Sequence, residues 1–174
     1  VVHAVAEPSG NIVGTTSRHL FKLDLKSRKI DVVGDVAAAG RIAVTSKGNI
    51  VGRDGERNLW HFDPRSSSLK RGAVALPEGA WLHPLFWAKD TRAGMLFTAD
   101  QTGQIFSFDE ASGFNGPLGQ TPLAPVGPMA VTFDGRVFGF CGTEMAKLFC
   151  LDPQRRTVTN LGGAASVIER RRYG

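Results

Sequence analysis

The chain has 174 residues, 42% of them hydrophobic and 21% charged, with 21 glycines, two cysteines and a formal charge of +5. That is enough for one domain burying about 70% of its unfolded surface; glycine without a three-residue period excludes collagen, and the ordinary apolar fraction argues against disorder. Two cysteines are too few for a secreted disulfide framework or for a zinc site of their own, and no apolar run approaches the roughly 20 residues of a membrane-spanning helix.

Taken in chain order, the elements repeat. An inner strand HAVA (His3 to Ala6) precedes GNIVG at Gly10 to Gly14, and HLFKLD follows, ending at Asp24. GNIVG recurs at Gly48 to Gly52 and is followed by NLWHFD ending at Asp63. The third copy has GMLFT at Gly94 to Thr98 and QIFSFD ending at Asp109; the fourth has GRVFG at Gly135 to Gly139 and KLFCLD ending at Asp152. Glycine to aspartate is 14, 15, 15 and 17 residues, and successive aspartates lie 39, 46 and 43 residues apart. Within each copy, short apolar alternations and β-branched or aromatic runs sit between Gly, Asp, Asn and Ser, which is strand chemistry. The second copy predicts strands at Arg41 to Thr45, Asn49 to Gly52, Leu59 to Phe62 and Leu69 to Ala75, with less than about one residue in ten of the whole chain helical.

Four antiparallel strands in about forty residues have the size of one propeller blade. Through G-x-[IV]-[VF]-G, then [LI]-[FW]-x-[LF]-D, then a turn and a V-x-x-x-G stretch, the chain resembles the β-propellers with degenerate repeats, of the quinoprotein-like, lactonase-like and kelch-like kinds. It lacks a WD dipeptide, a kelch Gly-Gly doublet and a tryptophan-docking motif, so no subfamily is assigned. The resemblance implies an all-β propeller with four blades in this chain, at about residues 1–39, 40–79, 80–126 and 127–168. The borders read as those of a piece, with 169–174 a basic connector. The four blades are expected to be part of a seven- or eight-bladed ring, completed by more of a longer chain or by a second copy, because an open half leaves two apolar faces uncovered.

In such a fold the inner strands and the loops between second and third strands meet at one mouth of a central channel. Aligning HAVA, RIAV, HPLF and PMAV places His3, Arg41, His83 and Pro128 at equivalent positions there. Around them lie Arg18 and His19, then Asp54, Glu56 and Arg57, then Asp100, and Trp81 on an entering loop. Arg41 and the histidines suit a carboxylate or phosphate, and His3 with His83 can supply part of a single metal site; no other cofactor is expected. Phe86 reads as core and Trp81 as a ligand contact.

The basic residues Lys26, Arg28, Lys29, Arg65, Lys70, Arg71, Arg155 and Arg156 follow the repeat aspartates and read as an outer edge protected by charge, not a nucleic-acid surface. Cys141 and Cys150 are expected nearly opposite each other in a hairpin, as two buried thiols in preference to a disulfide. No nucleophile elbow or phosphate loop is present. Two functions follow: a noncatalytic binding or scaffolding propeller recognising a protein or glycan, or part of a propeller lyase, lactonase or hydrolase with an anionic or carbohydrate ligand at the channel mouth.

Overall fold

The computed structural model describes residues 1–36, 40–82 and 85–163, and His83 and the 169–174 connector lie outside them. Four sheets of four antiparallel strands follow one another, each a simple meander. The first holds β1 (His3–Ala6), β2 (Ile12–Thr15), β3 (His19–Asp24) and β4 (Lys29–Asp35). The second holds β5 (Ala43–Val44), β6 (Ile50–Asp54), β7 (Asn58–Asp63) and β8 (Ser68–Ala75). The third holds β9 (Ala88–Lys89), β10 (Leu96–Ala99), β11 (Gln104–Asp109) and β12 (Gly113–Gln120). The fourth holds β13 (Val126–Val131), β14 (Val137–Cys141), β15 (Lys147–Asp152) and β16 (Thr157–Gly163). One 3-10 turn, Thr143–Met145, is the helix found among the described residues.

The repeat strings acquire physical reasons. Each aspartate ends a third strand and folds the turn behind it: Asp24 accepts from the amides of Lys26 and Ser27, Asp63 from Arg65, Asp109 from Ala111 and Ser112, and Asp152 from Gln154 and Arg155. Four residues on, the chain takes a positive φ, at Arg28, Ser67, Gly113 and Arg156, which completes the reversal. The second glycine of the anchor makes room for an aromatic ring. Gly14 pairs with Phe21, Gly52 with Trp60 and Gly139 with Phe149 across the second and third strands, and in each pair the ring lies where a Cβ would stand. In the third copy Thr98 pairs with Phe106 instead, and its buried hydroxyl finds no partner.

The core lies between sheets. Val13, Leu20 and Val36 of the first pack on Ile50, Trp60 and Phe62 of the second. Leu59 meets Trp81, Leu85 and Phe106, and Ile105 and Leu118 meet Phe149 and Leu151. Each third strand thus sends one set of side chains forward to the next sheet and the alternate set back to the preceding one, as the period of two requires. In the second and third copies the residue after the aspartate, Pro64 or Glu110, meets the preceding sheet. Lys22 donates to the Pro64 carbonyl at 3.0 Å, while the Glu110 carboxylate accepts from Thr45, Asn49 and His61.

At the two ends of the series no further sheet among the described residues covers these faces. On the first sheet Ile30 and Val32, paired with Leu23 and Phe21, are 61% and 65% exposed. On the fourth, Phe138, Phe140 and Leu148 share a face with buried Cys150 and are themselves half-buried. No core cluster or side-chain hydrogen bond joins the first sheet to the fourth among the described residues.

The cysteine expectation needs correction in its geometry. Cys141 pairs with Lys147 and Cys150 with Phe138, so the two stand on opposite faces; both are buried and free.

Replacing Gly52 by Val should lower stability by about 1–3 kcal/mol through overpacking against Trp60, whereas Thr98→Val, which removes an unpartnered buried hydroxyl, should be neutral or stabilising. Urea denaturation checks both signs. Burial pushes Glu110 up, but the hydrogen bonds from Thr45, Asn49 and His61 outweigh it and hold the carboxyl below its ordinary value. Its stabilising share is present above the unfolded carboxyl pKa and is lost as pH falls through the lowered folded value. Glu110→Gln should flatten that acid limb in thermal melts taken across the carboxylate range.

Candidate functional site

Strand register decides which residues meet at the channel mouth. The amides of Glu7, Thr45 and Thr132 each donate to a carbonyl four residues on, but that of Asp90 donates five residues on, to Met95. The first turn of the third sheet is therefore one residue longer. Counting back from these equivalent residues sets His3, Arg41, Phe86 and Pro128 in one row. The place expected for His83 is held by Phe86.

His3 and Arg41 do come together, with Phe86 beside them. The Arg41 guanidinium lies over the Phe86 ring, 4.6 Å from its centroid. The amide of Ile42 donates to His3 Nδ1 at 3.2 Å. A ring nitrogen that accepts carries no proton, so the proton sits on Nε2, and His3 keeps a donor that no described group takes up. Partial burial and the neighbouring Arg41 charge both lower the His3 pKa, which keeps the imidazole neutral. That tautomer does not suit Nε2 coordination to a metal. Among the described residues no group of three His, Cys, Asp or Glu side chains is placed to hold an ion. Arg41 is exposed and forms no ion pair with a described carboxylate.

The rim residues divide. His19 pairs with Asp35 at 2.7 Å on the outer side, next to exposed Arg18. Asp54 accepts from the Gly72 amide, and buried Asp100 accepts from Thr102 and Gln104, so both carboxylates serve the backbone. Buried Arg53 donates to the carbonyls of Gly55, Glu56 and Leu82 and holds the entering loop in place. Beside it, Glu56, Arg57, Gln101 and the edge of Trp81 line a cleft of about 550 Å³. Trp81 corrects an expectation: it is 8% exposed, packed on Phe106 and Phe114, and its Nε1 donates to the Pro77 carbonyl. Phe86 reverses in the other direction, from expected core to partner of Arg41.

Sequence reasoning missed Lys89. It interrupts the inner strand of the third sheet, is half-buried in a groove of about 480 Å³ across three inner strands, and has its pKa lowered by desolvation. The signal was a lone lysine in the string FWAKD.

No protein-family model matches the chain, and no curated protein matches it in sequence. Solved structures do match in fold. A virginiamycin B lyase from Staphylococcus aureus superposes with a TM-score of 0.71 at 14% identity, over 94% of this chain and 55% of that one. A gluconolactonase from Xanthomonas campestris gives 0.61 at 14% identity, covering 93% and 63%. The extracellular domain of a proposed hybrid two-component system from Bacteroides thetaiotaomicron gives 0.67 at 15% identity, covering 92% and 24%. The fold is thus of the β-propeller type, and the four sheets are its blades. The chain spans little more than half the length of the lyase. These neighbours include enzymes and an extracellular domain, so the fold admits either kind of function.

In a histidine titration followed by NMR, His3 should titrate below 6.5, and Arg41→Ala should move it upward by removing the like charge. A neutral His3 favours the folded state above the ordinary histidine range. That share is lost as pH falls from there through the lowered value.

Proposed function

We propose that this chain is a noncatalytic binding propeller whose channel mouth takes an anionic or polar group on a protein or glycan, an acidic sugar above all. The observation that carries this reading is the Arg41 guanidinium, exposed, stacked on Phe86, without a carboxylate partner among the described residues and near His3, whose proton sits on Nε2. A carboxylate can accept from Arg41 and His3 together, and the sugar face can rest on Phe86. The rim carboxylates Asp54 and Asp100 are engaged with backbone amides, which leaves Glu56 as the rim carboxylate open to acid or base work and supports binding over the lyase or lactonase reading.

Titrating a glucuronate-terminated oligosaccharide by calorimetry tests the site. Arg41→Ala should weaken binding about tenfold or more, the worth of a charge-assisted hydrogen bond, while Lys26→Ala, Arg65→Ala and Arg155→Ala at the opposite end should leave it unchanged. Equal losses in both sets would overturn the reading.

The uncovered faces of the first and fourth blades support a second element of the proposal, that further blades of a longer chain or of a second copy complete the ring. Each internal interface sets a forward face against a backward face, and the chain presents one of each at its ends. Sedimentation should show this chain self-associating, and Val32→Asp or Phe140→Asp should suppress it. A wild-type chain that stays monomeric at every accessible concentration would remove the second-copy form.

A further inference from the structure

The groove lower in the channel is a different environment from the mouth. Its walls come from the inner-strand segments of the first three blades, chiefly Val5, Ile42, Val44 and Trp87, with Leu96 of β10 beside them. Two charged groups line it. Glu7 is 5% exposed and already neutralised, with Lys22 at 3.2 Å and the Ser9 hydroxyl donating at 2.9 Å. Lys89 has no such compensation: its Nζ donates to the Thr45 carbonyl at a weak 3.4 Å and forms no ion pair with a described carboxylate. The nearby Glu110 is occupied by Thr45, Asn49 and His61. Two residues before Lys89, Trp87 lines the same groove, and its buried Nε1–H has no acceptor. An ammonium without a counter-charge among the described residues thus lies in a groove of largely hydrocarbon walls.

We propose that this groove is a second ligand site, for a carboxylate carried on an aliphatic or aromatic body, with Lys89 as the counter-ion. The walls decide the class. A sugar would leave its hydroxyls facing valine, isoleucine and leucine without partners, at a cost of about 1–3 kcal/mol for each buried one. A phosphate dianion would find one ammonium where such groups are ordinarily held by several donors. A monocarboxylate matches the single charge, and its hydrocarbon part removes apolar wall from water at roughly 25 cal/mol per Å². The volume, about 480 Å³, lies within the usual range for small-molecule sites. The site does not rest on the Arg41 reading, since it uses other residues and another chemistry.

Octanoate is the probe, titrated into the intact chain by calorimetry and by NMR of the Lys89 side chain. Saturable binding is expected, weakened at least tenfold by Lys89→Met, which keeps the length and apolar stem of the side chain, and largely retained by Lys89→Arg. The Lys89 titration midpoint should rise when octanoate is bound, a change that a purely structural lysine would not show. Arg41→Ala should leave octanoate affinity as it is, and Lys89→Met should leave glucuronate affinity as it is, so failure at one site is distinguishable from failure at the other. Lack of saturable octanoate binding, equal affinity in wild type and Lys89→Met, or octanol binding as tightly as octanoate would overturn the proposal.

Discussion

A four-stranded sheet has two faces and can cover neither by itself, and everything else in this molecule depends on how the neighbouring sheet supplies that cover. Along β7, Leu59 turns forward to the third sheet while Trp60 and Phe62 turn back to the first. Along β11, Ile105 turns forward and Phe106 and Phe108 turn back. Because both faces are apolar, no sheet has an inside and an outside of its own. The hydrophobic effect is satisfied only by stacking, which is why the repeat persists through four copies and why Ile30 and Val32 on the first sheet's outer face remain exposed.

Close stacking leaves little thickness for each sheet. A large ring on the third strand lies flat only where the second strand offers no side chain beneath it, and Gly14, Gly52 and Gly139 meet that need. Thr98 in the third copy shows the alternative. There Phe106 lies beside Trp81, their centroids 5.2 Å apart, and the threonine hydroxyl stays buried without a partner. The sheet contacts also organise the polar groups. Lys22 and His61 hold equivalent positions, two residues before a repeat aspartate, and each reaches the turn of the following sheet.

The backbone takes up several of the charges placed at the strand ends. Asp24, Asp63, Asp109 and Asp152 cap turns, Asp100 does the same at the opposite end, Asp54 accepts from the Gly72 amide on the outer strand, and Arg53 is taken up by three carbonyls. Along the inner strands, where the sheets converge, some polar or charged side chains keep few backbone partners. His3, Arg41 and Lys89 are of that kind. Enzymes and an extracellular domain share the frame at 14–15% identity, and the ends and inner surfaces of the strands are where such a frame can vary its chemistry without disturbing the stacking.

The repeat, the four strands per copy, the near absence of helix and the turn-forming aspartates were legible in the amino-acid order, because each depends on residues within one hairpin of each other. Gly52 was singled out from its string alone, although its reason, the Trp60 ring, lies on the next strand. What the sequence left open is long-range. The third inner strand shifts by three residues from the alignment that favoured His83, since one added residue in the turn after Asp90 looks locally like a larger insertion. The exchange of roles between Trp81 and Phe86 follows from that register and from packing between sheets. So does the separation of Cys141 from Cys150, which a turn of different length would have brought together. Lys89 reads as one more polar residue in a loop-rich stretch until three strands, far apart in the chain, close apolar walls around it. Pattern and turn chemistry act between neighbours and are written in order. Which charges remain without partners depends on every element packed around them, and tertiary structure alone decides it.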